Sequence, residues 1–288
     1  MSGLAIVGGY ALREAVRRRA LVVVLLLTAG FLALYALAVD RAFREATVGG
    51  LAAAAADVGT EVERVTGPFM FGLAMFATLF LGVILVVFLT LGAVRGDAER
   101  GLLQPLVVRP IGRAAFFAGR FAGALVASGT YVLIVYAATL GITRAIGGWW
   151  PDRLLTPVVE LVGAVGIIAA LALLGSVFLS STANGIAVFM VFGAGLTAGL
   201  LGQVGEAIGS ETLVDVSRIT SWVLPFEALY QDALSAITAD TGGVTRLLID
   251  LGPFGGAQSA GAALWVWSGV YTASVLLVGL WAFSRRDL

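Results

Sequence analysis

The groups able to do chemistry in this chain are carboxylates and guanidiniums, because it has no Cys, no His and no Lys, and all 18 of its basic residues are Arg. Without Lys there is no GxxxxGK[ST] loop, so the chain cannot bind ATP in the Walker manner by itself. Without Cys or His, a thiolate or imidazole metal site and a Ser-His-Asp or Cys-His nucleophile are both impossible. A long charged interruption between full-length apolar stretches runs from Arg95 to Arg120, RGDAERGLLQPLVVRPIGRAAFFAGR, where Arg95, Arg100, Arg109, Arg113 and Arg120 stand against Asp97 and Glu99. Its pattern suits docking. Asp97 and Glu99 sit where a helix start favours negative charge, and Leu102, Leu103, Leu106 and Val107 follow at helical spacing as an apolar stripe. Arg109-Pro110 then forces the chain out of helix. A short amphipathic helix tied to two membrane spans is what a soluble partner needs in order to push a membrane domain; a loop that only fixes orientation is the alternative.

The elements that must position this stretch follow from composition. At 59% hydrophobic and 12% charged residues, with a mean hydropathy of +0.99, the chain carries more apolar surface than a soluble core could hide. Residues 1–288 are expected to form one all-α membrane domain. The first apolar run begins only after Arg17-Arg18-Arg19 and has no small-residue cleavage site, so no secretory signal is expected. Residues 1–19 read as an interfacial helix, with Leu4, Ile6, Val7, Tyr10, Ala11 and Ala15 on one side and Arg13, Glu14, Arg17 and Arg18 on the other.

Six spans are predicted, over about 20–39, 69–94, 114–142, 157–179, 185–201 and 262–283, each near the ~20 residues that cross a bilayer. The first loop, 40–67, is acidic, with a short helix at 52–56 and Pro68 opening the second span. Ser180–Asn184 is a tight link between spans 4 and 5. The segment 202–261 is a long acidic loop; within it Phe226, Leu229, Tyr230, Ala233 and Ile237 recur at helical spacing after Pro225. They predict an amphipathic surface helix against the outer rim between spans 5 and 6, with Trp222 as an interface anchor.

With both termini cytoplasmic, the inner segments hold eleven arginines against four acids, and the outer ones seven arginines against fourteen acids. That is the asymmetry of the positive-inside rule. Trp149, Trp150, Trp222, Trp265 and Trp267 fall near the outer interface. By these boundaries no ionisable residue lies at a span centre, where proton- or sodium-coupled carriers normally place one. Glu160 reads as a helix-start residue held by the dipole and water in preference to a substrate ligand. Gly195 and Gly199 form a GxxxG pair suited to dimerisation or, as the safer reading, to packing within one subunit.

These features resemble the permease subunits of ABC-2 type transporters, and within them the group linked to maturation of copper enzymes such as nitrous-oxide reductase. The resemblance runs over nearly the whole length: the LREAVRRRA segment, six spans, Glu99-Arg100-Gly101-Leu102-Leu103, Pro110-Ile111-Gly112-Arg113, Gly119-Arg120, the outer LPFEALYQDAL and the tail SRRDL. Leu102 departs from the family's Thr, and Pro105 is an unexpected helix breaker. The resemblance implies the permease of an ATP-driven exporter, multi-pass in the plasma membrane. It would work as a homodimer with a separate P-loop ATPase subunit that holds the ATP and Mg. The cytoplasmic element, 95–113, would be the coupling helix between spans 2 and 3, with Asp97, Glu99, Arg100, Leu102, Leu103 and Leu106 as its docking residues. No cofactor in this chain and no nucleic acid are implied. An ATP-independent channel, carrier or assembly scaffold is the alternative function.

Overall fold

The computed structural model describes residues 19–48, 62–90, 112–151, 153–238 and 259–285. They form eight helices: α1 Arg19–Val48, α2 Val62–Thr90, α3 Arg113–Gly147, α4 Leu155–Phe178, α5 Ser181–Ile208, α6 Glu211–Val223, α7 Pro225–Thr238 and α8 Ala262–Ser284, with no strand among the described residues. All but α6 and α7 are long and apolar enough to cross a membrane. The interfacial helix at 1–18, the short helix at 52–56, the element at 95–111, residues 239–258 and the last residues of the tail lie outside the described residues.

The bundle is built around α4. It is apolar all round, as a helix enclosed by others must be, and 67% of its apolar window is buried, against 22% for α1 and for α8. Small residues let its neighbours approach: Gly163 faces Leu229 of α7 and Gly166 faces Leu125 of α3. Toward the periphery α1 is bound to α3 by paired hydroxyls, Thr28 with Tyr131 at 2.5 Å and Tyr35 with Thr143 at 2.6 Å. In an apolar surround such pairs are worth keeping, because a hydroxyl buried alone is costly.

One end of the bundle carries Trp149 and Trp150, just past the end of α3, and is called here the tryptophan end. There α3 stops at Gly148, whose φ of 70° is the left-handed conformation that glycine adopts without strain. The Trp149 ring then lies on Gly67 of α2, where no side chain would fit. The opposite end carries Arg113, Phe116, Phe117, Phe283 and Arg285.

Several boundaries differ from those predicted. Helix α1 continues through Asp40 to Val48, with Arg44 donating to Asp40 at 2.8 Å one turn earlier, so charge alone did not end it. Helix α2 starts at Val62, and Pro68 lies inside it. Only Leu179 and Ser180 separate α4 from α5, since Asn184 is already helical and donates from Nδ2 to the Ala172 carbonyl at 2.9 Å. Helix α5 extends to Ile208, well past the predicted limit at 201.

The largest correction concerns the helix after Pro225. It is not a surface helix: Phe226 and Tyr230 are fully buried, and Leu229, Ala233, Leu234 and Ile237 are nearly so. The exposed helix of this segment is α6, which has no buried residue. Apolar spacing located α7 correctly but could not reveal that its polar face is satisfied by the protein's own groups.

Candidate functional site

The site is the hairpin made by α6 and α7, and its foundation is a ladder of glycines on α5. At the tryptophan end α5 closes on Gly209 (φ 69°), with Ser210 N–H bonding back to Gly205 O at 2.8 Å, a Schellman-type reversal. The chain then runs back along α5 as α6. Gly205 lies against Leu213 and Val214, and Gly202 against Ser217, closer than any Cβ could tolerate. Helix α6 is capped by Leu224, whose N–H bonds Thr220 O at 2.7 Å. Pro225, lacking an N–H, suits the first position of α7. Helix α7 returns over the deeper rungs: the Phe226 ring covers Gly195, and the Glu227 and Gln231 side chains cover Gly199. The Gly195 and Gly199 pair therefore faces its own chain. The notch left by the missing Cβ atoms at these two positions is filled by α7 of the same chain.

Two buried glutamates lie in this region, one on α7 and one on α4. Glu227 of α7 is 3% exposed and accepts from Gln231 Nε2 and, at 3.4 Å, from Ser221 Oγ of α6. The carboxylate thus ties the two arms of the hairpin together. Burial pushes its pKa up to about 7, against the opposing effect of those two hydrogen bonds. Glu160 of α4 is fully buried, which corrects the prediction of a hydrated helix-start residue. No donor among the described residues reaches either of its oxygens; the Asp232 carboxyl of α7 faces it. Asp232 itself accepts from Ala260 N–H at 3.0 Å.

Glu227 makes the hairpin sensitive to pH. Between about 4.5 and about 7 the folded chain keeps a proton that the unfolded chain releases, so stability falls as pH rises across that window and levels off above it. The full effect is on the order of 3 kcal/mol. Thermal unfolding in lipid nanodiscs is expected to show a higher melting temperature at pH 5 than at pH 8, with the difference diminished in Glu227→Gln. A Glu227→Gln profile identical to the parent's contradicts this assignment.

Between the hairpin, α5 and the start of α8 lies a cavity of about 330 Å³ lined by Glu206, Ser217, Arg218, Trp222, Gln231 and Trp267, among others. Its lining mixes indole rings with charged, amide and hydroxyl side chains. No group of three or more acids that could hold a metal occurs among the described residues. At the opposite end Arg113 Nη1 donates to Ser284 O at 2.7 Å, beside an aromatic cluster in which Phe116 and Phe117 pack on Phe283.

Of the residues singled out in the sequence, Asp97, Glu99, Arg100, Leu102, Leu103 and Leu106 lie outside the described residues. Arg113, at the end of that element, is the part of it placed here. Sequence reasoning missed Glu227 and Gln231. Their signal was present in the spacing of Gly195, Gly199, Gly202 and Gly205, one face of a helix repeated over three turns.

Six helices long and apolar enough to cross a membrane, with the α6–α7 hairpin between the fifth and the last of them, define a multi-pass membrane domain. The chain belongs to the ABC-2 transporter family: the family described as ABC-2 family transporter protein matches residues 11–288. It is thus a transmembrane component of an ABC transporter, in a family whose membrane subunits lack an ATPase domain of their own and typically work with an ATPase subunit. Comparison with curated proteins gives no match to the chain.

Proposed function

We propose that this chain is the permease of an ATP-driven exporter, acting as a homodimer on two separately encoded P-loop ATPases in the plasma membrane. The observation that carries this reading is the family match across residues 11–288, together with the lack of any lysine for a Walker loop in these residues; on this reading the energy comes from a partner. ATP and Mg belong to that partner. The arginine excess of 95–120 and of the tail supports cytoplasmic termini, which makes the tryptophan end the outer one. On this reading the element 95–113 is gripped by the ATPase through Asp97, Glu99, Arg100, Leu102, Leu103 and Leu106. Nucleotide binding then favours one of two arrangements of the membrane pair.

The test is biochemical. The chain purified alone is expected to hydrolyse no ATP, and the chain purified gently from its native membrane to bring with it a P-loop protein and ATPase activity. Function that persists in cells lacking any such partner contradicts the proposal and favours an ATP-independent channel, carrier or scaffold.

A further inference from the structure

Helix α8 is buried most deeply at its two ends, and between them only one face, with Tyr271, Thr272, Val275 and Leu276, is half-buried. Its buried residues are Leu264 and Ser268 near the outer end and Gly279, Ala282 and Phe283 near the inner one. No residue from 269 to 278 is buried, and Val270, Leu277 and Val278 are more than half exposed. At 23 residues α8 is about 35 Å long, enough to link the two faces of a membrane as a single stiff element.

Each end is fastened to a different working part. At the inner end Arg113 sits at the start of α3, where the 95–113 element rejoins the bundle. Its guanidinium donates to Ser284 O and lies 3.5 Å from Phe283 O, placing a cation on the last carbonyls of α8, where the helix dipole is negative. Phe117 backs this joint by packing on Gly279, where a Cβ would collide with its ring. At the outer end both arms of the hairpin are held. Trp267 Nε1 donates to the Trp222 carbonyl of α6 at 2.9 Å, and the two indoles meet edge-on at 5.5 Å. Ala260 N–H, just before α8, donates to Asp232 of α7. Leu264 and Trp267 also line the 330 Å³ cavity.

We infer that α8 is the transmission rod of the transporter, carrying displacement of the cytoplasmic element through Arg113 to the α6–α7 hairpin through Trp267, and so changing access to the outer cavity. Arg113 and Trp267 are positioning residues in this scheme. The inference rests on the ATPase-driven reading above.

The absence of native cysteine makes the test clean. Ser217→Cys places one thiol on the cavity wall, and its alkylation rate is measured in the ATPase-bound complex in nanodiscs, nucleotide-free and after vanadate trapping. Trapping is expected to change the rate several-fold in the parent. The change is lost in Arg113→Ala, kept in Arg113→Lys, which can still donate to the carbonyls, and lost in Trp267→Phe, which keeps an aromatic ring but not the donor. Thermal unfolding in nanodiscs recognises a merely unfolded Arg113→Ala or Trp267→Phe variant by its lowered melting temperature, and Arg113→Lys, which keeps the donor, serves as the rescue for the inner joint. A parent-like response in both Arg113→Ala and Trp267→Phe overturns the inference. No response in a parent that hydrolyses ATP also overturns it while leaving the proposed function standing; absence of ATPase activity as well overturns both.

Discussion

Gly199→Leu is expected to unseat the α6–α7 hairpin, while Gly193→Leu, six residues earlier on the same helix, is tolerated. The contrast is geometric. A Cβ on Gly193 meets nothing within 4 Å, whereas one on Gly199 lands on the Glu227 carboxylate and the Gln231 amide. Those groups cannot swing aside freely, because Glu227 is held by both Gln231 and Ser221 and is nearly inaccessible. Overpacking costs roughly 1–3 kcal/mol, and a buried carboxylate deprived of its donors costs about as much again. A loss of about 3 kcal/mol or more is therefore expected for Gly199→Leu. Gly193→Leu removes a weak helix former and should be neutral or stabilise by up to about 1 kcal/mol. Thermal unfolding in nanodiscs compares the two; equal melting temperatures contradict the hairpin's seating on the glycine ladder.

The second large effect concerns the cytoplasmic element. Glu99→Arg combined with Leu103→Asp reverses the charge beside the apolar stripe and puts a carboxylate within it. Central contact residues in protein interfaces are each worth about 2 kcal/mol or more, so the pair is expected to weaken ATPase binding at least roughly 30-fold. Hydrolysis then ceases to respond to the permease. Asp57→Arg, in the loop the proposal places outside the cell, leaves binding unchanged. Co-purification yield and titrated ATPase stimulation read both outcomes, and unchanged stimulation in the double variant contradicts the docking role.

The six spans were legible in the sequence because membrane burial writes itself as uninterrupted apolar length, which needs no knowledge of neighbours. The ends of those spans were less so. Asp40, Arg41 and Arg44 read as loop, yet an Arg44–Asp40 pair one turn apart lets α1 continue beyond its apolar run. Helix α7 shows the limit more sharply. Its stripe of Phe226, Leu229, Tyr230, Ala233 and Ile237 gave the helix, while Glu227, Gln231 and Asp232 on the remaining face pointed to water. What removed that face from water is α5, α6 and the start of α8, contacts between segments distant in sequence or joined by a reversal. Glu160 failed for the same reason: a carboxylate close to the start of a helix looks hydrated until α7 is laid over it.

The central claim is that the stretch following the second span is a handle for an ATPase, and photo-crosslinking tests it most directly. A photoactivatable amino acid in place of Leu103, activated in native membranes, is expected to give one dominant adduct, to a P-loop ATPase, and to lose it in the Glu99→Arg background. Adducts confined to lipid, or labelling of this position by an impermeant reagent added outside intact cells, contradict the account.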